Sequence, residues 1–425
     1  MTVKQYATWG ETVAWETLPN GLTVAVVPRP GFRKKLAYFV TDYGSIHTEY
    51  TLDGQKKSAP AGVAHYLEHK LFDMPRGEVS GEFAALGANP NAFTSYDLTA
   101  YYFSCTENFE QCLRLLLEFV STPYFTQESV AKEQGIIGQE IDMTADNPDT
   151  RIFEQLMEVM YPVHPIRVPI LGDRESISRI TPQVLEECHR AFYTPSNMLL
   201  CVVGDVKAEE VCAIAREMLG DETRPAGEKH MNWTEEMTCR TPYVACDMEV
   251  AATMFQLGFK CECVDRGAEA VRQEIVGDLA AEALFGESSA LYLKLYEEGV
   301  IDGSFGGGFE TVDGMCMLTV SGDSEQPEVI REAILQEARR IVREGVPKED
   351  FLRMKRSALG RRIRDLDSFD STAFRICAYY FSDFDYFEFP ALFERVEEQE
   401  IREFIARVVT PERCCLSVIQ TKEET

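Results

Sequence analysis

The sequence predicts an α+β fold made of two homologous domains, each of which layers helices on a sheet. The chain has 425 residues, which is too long for a single hydrophobic core. Strand-like and helix-like segments occur in a similar order in its two halves. A polar stretch with glycine and proline, at about 220–241, separates the halves. Halves that combine strands and helices in this way form layered sandwich domains.

The first half of the chain combines strands with amphipathic helices. Runs of β-branched and aromatic residues predict strands at 22–27, 98–105 and 199–203. Apolar periodicity predicts helices at 109–120, 127–144 and 176–191. We therefore expect a first domain at residues 1–220.

The second half repeats this order after a linker at residues 221–243. Strands are predicted at 253–259 and 315–321, and helices at 268–285, 327–343 and 348–366. A second domain is therefore expected at residues 244–425.

The most informative motif is the pentad His65-Tyr66-Leu67-Glu68-His69. On a helix, residues four apart lie on one face about one turn apart, so His65 and His69 can present two imidazoles to one metal ion. Glu68 lies on nearly the same face and can reach a water at that metal. An amphipathic helix with two surface histidines is the alternative. However, apolar residues flank the pentad on both sides, and a half-buried glutamate with two histidines needs a partner, which a metal ion would provide.

A catalytic zinc site needs a third protein ligand, which should come from another element. The segment 127–141 carries Glu133 and Glu140, which are seven residues, or two helical turns, apart and so project from one side of a helix. Two ordinary solvated glutamates are the alternative in a chain with 70 acidic residues. Only pairing with the pentad distinguishes these two from that background.

Together these motifs resemble the pitrilysin/insulinase family of zinc peptidases, also called inverzincins. The resemblance lies in His65-x-x-Glu68-His69 followed further along the chain by Glu133-x6-Glu140. Further matching runs lie at 91–95, 99–102, 164–165, 169–172, 193–198 and 203–205. The likeness covers essentially the whole chain. It is strongest to small bacterial cytoplasmic members of about the size of mitochondrial processing peptidases.

The resemblance implies one zinc ion per chain, held by His65, His69 and Glu140. Glu68 is then expected to act as the general base on a water that zinc activates. Glu133 is expected to hydrogen bond to a ligand imidazole or to the helix, which would fix the orientation of the ligand. The expected activity is that of a zinc metalloendopeptidase that cuts extended peptides.

A second implied feature is a strand that binds the substrate. Asn91, Ala92, Phe93 and Thr94 resemble the family's active-site edge strand. The backbone of such a strand would pair with an extended peptide by strand addition, and the side chain of Asn91 would orient the scissile amide. The alternative is that Asn-Pro-Asn at 89–91 only makes a turn before a strand.

The second half lacks the metal-binding residues. Alignment of the two halves puts Asp278, Ala281 and Glu282 at the functional positions of the pentad. The same comparison puts Arg362 near the position of Glu140. The resemblance implies the same division, with a catalytic first domain and a degenerate second domain.

One departure from the family concerns an Arg and a Tyr, seven residues apart, that normally face the zinc from a second-half domain. The matching positions here hold Leu295 and Asp302, and the neighbours Lys294 and Tyr296 have the wrong spacing. The chain therefore lacks the pair that stabilises the oxyanion. In the family, small members of this kind work with a homologous non-catalytic subunit that supplies the pair. We therefore expect a heterodimer, with a homodimer as the alternative.

Two other functions stay open at this point. A non-catalytic, peptide-binding scaffold subunit of the same fold would explain the missing pair, and zinc content and activity would distinguish it from an enzyme. A different metal-dependent hydrolase would use the same ligands, and a panel of substrates would distinguish it from a peptidase. The intact pentad with Glu140 favours the peptidase.

Composition and charge argue against several other classes. The net charge of −28 argues against a nucleic-acid partner. No stretch approaches about 18 apolar residues, so no membrane span is expected, and the first residues lack the pattern of a secretory signal. The 13 cysteines have no Cys-x-x-Cys spacing, which indicates free, buried thiols rather than disulfides. Such thiols indicate a reducing compartment, and the resemblance implies a bacterial cytoplasmic protein.

Overall fold

The computed structural model describes residues 1–264 and 266–422. The predicted end of the second domain at residue 425 lies outside the described residues. The strands are β1 (Thr2–Tyr6), β2 (Glu11–Thr17), β3 (Thr23–Pro28), β4 (Lys35–Thr41), β5 (Glu49–Leu52), β6 (Gln55–Ser58), β7 (Asp73–Met74), β8 (Gly77–Glu78), β9 (Asn89–Thr94), β10 (Thr99–Cys105), β11 (Met198–Gly204), β12 (Glu228–Lys229), β13 (Tyr243–Met248), β14 (Met254–Cys261), β15 (Gly306–Val312), β16 (Met315–Asp323) and β17 (Cys414–Thr421).

The helices of the described chain lie between these strands, singly or in consecutive runs. They are α1 (Val63–Leu71), α2 (Ser80–Ala85), α3 (Phe109–Ser121), α4 (Gln127–Ala145), α5 (Pro148–Met160), α6 (Arg174–Ser178), α7 (Pro182–Phe192), α8 (Ala208–Leu219), α9 (Ala268–Phe285), α10 (Ala290–Glu297), α11 (Pro327–Glu344), α12 (Lys348–Asp365), α13 (Phe369–Phe381), α14 (Phe389–Arg395) and α15 (Glu398–Val408).

Two mixed sheets form the scaffold. The first has seven strands in the order β1-β2-β3-β11-β4-β10-β9, and the second has five in the order β13-β17-β14-β16-β15. The pairs β3–β11 and β13–β17 are parallel, and the other neighbours in these two sheets are antiparallel. The predicted α+β fold of two domains, each with a mixed sheet and helices, is confirmed.

The repeat between the halves is also a repeat of topology. In spatial order and direction of pairing, β13, β17, β14, β16 and β15 correspond to β3, β11, β4, β10 and β9. The strands β9 and β15 therefore lie at equivalent edges of the two sheets. The first sheet differs by the addition of β1 and β2 on its far side.

The predicted segments correspond to observed elements, with one exception. The prediction of a single helix at 176–191 is wrong, because α6 and α7 divide this region. Pro182 has no N–H to continue a helix and favours extended backbone at the residue before it. That residue, Thr181, caps α7 by accepting a hydrogen bond from the backbone N–H of Val184 at 3.3 Å. The elements β4, α5 and α13 were not predicted.

Each half contributes one helix to the sheet of the other half. The helix α5 packs on β14 and β17 of the second sheet, whereas α13 packs on β4 and β11 of the first. Ala373 and Ile376 of α13 are buried in an apolar cluster that includes strands of both sheets. Leu156 and Met160 of α5 are buried in a smaller cluster with the second sheet. Packing between the halves therefore fixes the position of one sheet relative to the other.

The helix α4, which carries both candidate glutamates, leads directly into α5. Asn147 separates the two helices, and its side-chain oxygen accepts hydrogen bonds from the backbone N–H groups of Asp149 and Thr150. Pro148 occupies the first position of α5, where its missing N–H has no intrahelical partner to lose. The end of α4 is therefore anchored, through α5, to the second sheet.

Two expectations from composition concern membranes and cysteines. Among the described residues, no helix is long and apolar enough to cross a membrane. The cysteines are free thiols, and most of them are buried. The prediction of buried thiols rather than disulfides is confirmed.

The side chain of Gln155 on α5 provides a test of the packing between the halves. Its Nε2 donates to Oγ of Ser417 at 2.8 Å and to the carbonyl oxygen of Val418 at 3.1 Å, inside the interface. Gln155→Ala would remove both hydrogen bonds, leaving Ser417 only its donation to the carbonyl oxygen of Ile152, and would open a cavity. We expect the free energy of unfolding to fall by about 2–4 kcal/mol, measured by urea denaturation. Gln183→Ala, on the exposed face of α7, is the control and should change this free energy by no more than about 0.5 kcal/mol. Equal losses would contradict the prediction.

Candidate metal centre

A close contact between two loops determines where α1 begins. Gly62, immediately before α1, has a φ of +88°, and a Cβ there would lie 2.3 Å from the carbonyl oxygen of Leu171. Gly172 has a φ of +69°, and a Cβ there would lie 2.6 Å from the carbonyl oxygen of Ala61. Glycine at both positions permits this approach and the left-handed backbone. The loop 169–172 therefore packs directly against the start of α1.

The two sides of α1 have different environments. Tyr66 and Leu67 are fully buried in the apolar core of the first half. His65, Glu68 and His69 instead contact side chains of α4 and β9. Apolar burial on one side therefore directs the three functional side chains of the pentad towards these two elements.

The structure brings His65, His69 and Glu140 together. Nε2 of His65 lies 3.5 Å from Oε1 of Glu140, and Nε2 of His69 lies 3.4 Å from Oε2 of Glu140. One ligand atom from each residue lies within 4.8 Å of the other two. Over residues 1–264 and 266–422, no other group of three or more His, Cys, Asp or Glu side chains meets this criterion. The cluster is open on one side, because His69 and Glu140 are partly exposed.

The spacing and chemistry of this cluster fit zinc. Tetrahedral zinc with bonds of about 2.0–2.1 Å places neighbouring ligand atoms about 3.3–3.4 Å apart. The observed separations of 3.5 and 3.4 Å, each from a histidine nitrogen to a different oxygen of Glu140, are close to this value. Two imidazoles and one carboxylate are also a donor set of catalytic zinc sites, which keep a fourth position open.

Glu133 lies behind His69 and outside the cluster of three. Its Oε1 is 3.0 Å from Nδ1 of His69, so an N–H at Nδ1 would leave Nε2 free for a metal. Burial acts to lower the pKa of His69, but the hydrogen bond to Glu133 and the charges of Glu140 and Glu68 outweigh it and raise that pKa. The hydrogen bond from His65 lowers the pKa of Glu140. This negative field would also attract a divalent cation.

Glu68 lies beside the cluster of three and is not part of it. Its Oε2 accepts a hydrogen bond from the hydroxyl of Thr94, the last residue of β9, at 2.7 Å. A carboxylate next to a metal position but outside the ligand set is suited to accept a proton.

The four predicted substrate-binding residues lie on β9, the edge strand next to α1. Asn91 is exposed, and its side-chain oxygen accepts a hydrogen bond from the backbone N–H of Ala92 at 2.9 Å. Phe93 packs against Phe374 of α13, with ring centroids 5.9 Å apart. Thr94 contacts Glu68 through its side chain. A peptide that paired with the N–H of Ala92 would have to replace its local bond to Asn91.

The equivalent place in the second half holds an ion-pair network. Nη2 of Arg362 lies 2.5 Å from Oε1 of Glu274 and 3.3 Å from Oδ2 of Asp278. The hydroxyl of Tyr379 also donates to Glu274, at 2.7 Å. Burial and the nearby Glu274 raise the pKa of Asp278 to about 6. The guanidinium of Arg362 therefore supplies positive charge to the acids of this half, where the first half has Glu140.

The positions expected for the Arg/Tyr pair offer no donor to an oxyanion. Leu295 is buried in the apolar cluster that joins the halves. Oδ1 of Asp302 accepts hydrogen bonds from the backbone N–H and the hydroxyl of Ser304. Lys294 lies 4.0 Å from the carboxylate of Glu298 on the same helix.

Two family models match the chain. The model described as Insulinase (Peptidase family M16) matches residues 55–174, and that described as Peptidase M16 inactive domain matches residues 179–358. The chain belongs to the insulinase family of M16 peptidases. The resemblance inferred from the pentad and the later glutamates is thereby confirmed. The domain limits that we place at 220 and 244 stay a prediction.

Relatives of this M16 chain cover its whole length. The uncharacterized zinc protease YmfH of Bacillus subtilis is 36% identical over 425 residues, which is 98% of this chain and 99% of the relative. A crystal structure from Alicyclobacillus acidocaldarius, described as M16-like, has a TM-score of 0.92 at 31% identity and covers 97% of this chain and 99% of that one. Pitrilysin has a TM-score of 0.80 at 16% identity, covering 100% of this chain and 46% of pitrilysin. The likeness to pitrilysin concerns the fold alone.

Two features of the site were not visible in the M16 sequence. One is the hydrogen bond from the hydroxyl of Thr94 to Glu68. The other is the close packing of the loops at Gly62 and Gly172 where α1 begins. Strand alternation implies that Thr94 and Phe93 face opposite sides of β9, but it does not tell which side α1 covers. Contacts between glycine loops far apart in the chain leave no periodic signal.

Replacement of Gly62 tests whether the loop contact holds α1. Gly62→Ala adds a Cβ that must displace the Leu171 loop, besides the cost of about 1–2 kcal/mol for a left-handed non-glycine residue. Gly87→Ala is a matched control, because Gly87 has a φ of +73° but open space around its Cβ position. We expect Gly62→Ala to lower the free energy of unfolding by about 1–3 kcal/mol more than Gly87→Ala, measured by urea denaturation. If the two variants lose equal stability, the loops do not constrain α1.

Proposed function

We propose that this chain is a zinc-dependent endopeptidase that hydrolyses extended peptides, and that it is the catalytic subunit of a heterodimer. The observation that carries the proposal is the grouping of His65, His69 and Glu140 at separations that fit tetrahedral zinc, with Glu68 next to the group. The names of relatives as zinc proteases support both the metal and the reaction. Free, mostly buried thiols support a reducing compartment, and we place the protein in the bacterial cytoplasm.

The chemistry divides between the metal and two glutamates. Zinc, when bound, would lower the pKa of a water molecule and polarise the scissile carbonyl. Glu68 would take a proton from the attacking water and pass it to the leaving amine. Glu133 would hold the Nδ1 side of His69, which keeps Nε2 directed towards Glu140 and the open position.

The substrate would be held in an extended conformation along β9. An edge strand has unpaired backbone groups, and a peptide that adds to the edge gains a ladder of main-chain hydrogen bonds. Asn91 would release the N–H of Ala92 when the peptide pairs with it. Because β9 adjoins α1, a peptide bound in this way would pass next to Glu68.

The missing donor pair supports a partner subunit. Leu295 and Asp302 provide no positive or phenolic group for the oxyanion, and losing one such donor typically lowers turnover by ~10²–10³-fold. The beta subunit of the mitochondrial-processing peptidase of Caenorhabditis elegans is 29% identical over 210 residues, or 48% of this chain, and its name describes one subunit of an assembly. We infer a homologous partner without the pentad that brings an Arg and a Tyr, with a homodimer as the alternative.

A non-catalytic, peptide-binding subunit of the same fold is the second candidate. The lack of a donor at positions 295 and 302 favours it, whereas the complete His65, His69 and Glu140 cluster favours the enzyme. Zinc content together with hydrolysis in the presence of homologous subunits distinguishes the two.

Metal content and the role of the base can be separated by mutation. Purified protein should carry about one zinc per chain, measured by atomic emission. His65→Ala and Glu140→Gln should lose the metal. Glu68→Gln should keep it while turnover falls by roughly 10²–10⁴-fold or more, because the proton acceptor is gone. Stoichiometric zinc in a His65→Ala/His69→Ala double variant would rule out this metal site.

The edge strand is tested by Ala92→Pro. Proline removes the backbone donor that a paired peptide would use, so peptide binding should weaken while zinc content stays unchanged. Titration of a fluorescent peptide and metal analysis on the same preparation measure the two effects. Unaltered cleavage by a folded Ala92→Pro variant would exclude β9 from substrate binding.

The partner is tested by comparing the chain alone with the chain plus a homologous, pentad-less subunit. We expect the isolated chain to bind zinc but to hydrolyse peptides poorly, and activity to rise by roughly 10²-fold or more when the second subunit supplies the oxyanion donors. Peptide hydrolysis with analytical ultracentrifugation of the same samples measures this. Full activity from a strictly monomeric preparation would refute the need for a partner.

A further inference from the structure

Thr94 makes the hydrogen bond that holds the proposed base. Its Oγ1 donates to Oε2 of Glu68 at 2.7 Å, and both side chains are partly buried. Over residues 1–264 and 266–422, the carboxylate of Glu68 makes no other hydrogen bond or ion pair. Glutamate has three side-chain torsions, and a free carboxylate samples many rotamers. The hydroxyl of Thr94 is therefore the polar contact that selects one position for this carboxylate.

The register of β9 explains why this hydroxyl faces α1. Thr94 pairs with Thr99 of β10, and Phe93 pairs with Ala100. Successive strand residues point to opposite faces, and Phe93 packs on Phe374 of α13. The side chain of Thr94 is therefore directed to the other face, which α1 covers. Because the branched Cβ of threonine restricts χ1, the strand itself sets the direction of the hydroxyl.

We propose that Thr94 is a positioning residue that aligns the carboxylate of Glu68 with the scissile bond. This proposal rests on the proposed peptidase function. The backbone of β9 would hold the peptide, and the last side chain of the same strand holds the base. The strand β9 would therefore position both the peptide and the base. Thr94 engages Oε2 of Glu68, which leaves Oε1 to accept the proton of the attacking water.

Two substitutions separate the hydroxyl from the shape of the side chain. Thr94→Val keeps the branched Cβ and removes the hydroxyl, whereas Thr94→Ser keeps the hydroxyl. The assay uses the zinc-loaded chain with its homologous subunit and an internally quenched fluorogenic peptide library. Thr94→Val should lower kcat by roughly 10–10²-fold with KM nearly unchanged, because a misplaced base slows only the chemical step. Thr94→Ser should retain most of kcat. A Thr94→Val variant that changes KM but not kcat would overturn the proposal.

A double-mutant cycle tests whether Thr94 acts through Glu68. In a Glu68→Gln background, Thr94→Val should cause no further loss of kcat, since the group that it positions no longer accepts a proton. If the double variant lowers kcat by the product of the two single effects, the proposal is overturned, because Thr94 would then act independently of Glu68. Thermal unfolding of all four proteins checks that none of the differences reflects loss of the fold.

A structural measurement decides the question without activity. Crystal structures of the metal-free wild type, Thr94→Val and Thr94→Ser should show the carboxylate of Glu68 displaced in Thr94→Val alone, with the backbone of 89–94 unchanged. An unmoved Glu68 in Thr94→Val would overturn the proposal. If the wild type and Glu68→Gln have the same peptidase activity with every subunit, the proposed function fails. The crystal structures still decide whether Thr94 positions the carboxylate of Glu68.

Discussion

Two imidazoles on α1 face two carboxylates on α4, and this arrangement holds because both helices pack on the apolar core of the first half. The buried side of α1, with Tyr66 and Leu67, belongs to the core of the first half. The end of α4 continues into α5, which is buried against the second sheet. The histidines and glutamates therefore do not have to bring the two helices together themselves. They meet because Val130 and Ile137 of α4 are buried in the same core as Tyr66 and Leu67 of α1.

The two halves show two ways to balance acidic side chains on the same scaffold. In the first half, His69 lies beside Glu133 and Glu140 and His65 lies beside Glu140, and the proposed cation would bind among His65, His69 and Glu140. In the second half, the positive charge belongs to a side chain of the protein itself. The guanidinium of Arg362 forms ion pairs with Glu274 and Asp278. An arginine fills the space and charge that a metal would fill, so the second site keeps its structure without an ion. The same topology can therefore serve chemistry in one half and packing in the other.

In the proposed mechanism, the edge strand β9 connects substrate binding with the position of the base. Its backbone is open on one side, its Phe93 contacts the second half, and its Thr94 contacts the pentad. Movement of the second half relative to the first would therefore shift Phe93, which is adjacent in the chain to Thr94, the residue that contacts Glu68. The proposed site would therefore depend on the packing between the halves, including the exchange of α5 and α13, as well as on its own ligands.

The sequence by itself predicted the residues of the candidate metal cluster and the family, and it located the longest helices and several of the strands. This was possible because residues four apart on a helix share a face, and because α4 places Glu133 and Glu140 on one side by the same geometry. The β-branched and aromatic residues of β10 and β11 and the apolar periodicity of α11 were equally local signals.

Only the tertiary structure decided which faces meet. Contacts between distant segments place Glu133 at Nδ1 of His69 and Glu140 at its Nε2. Contacts of the same kind bring Thr94 to Glu68 and exchange α5 and α13 between the halves. The division of residues 174–192 into two helices is different, because Pro182 is a local signal for the break that the apolar periodicity across it obscured. Local periodicity sets the direction of a side chain within its own element, whereas its partner depends on how the elements pack.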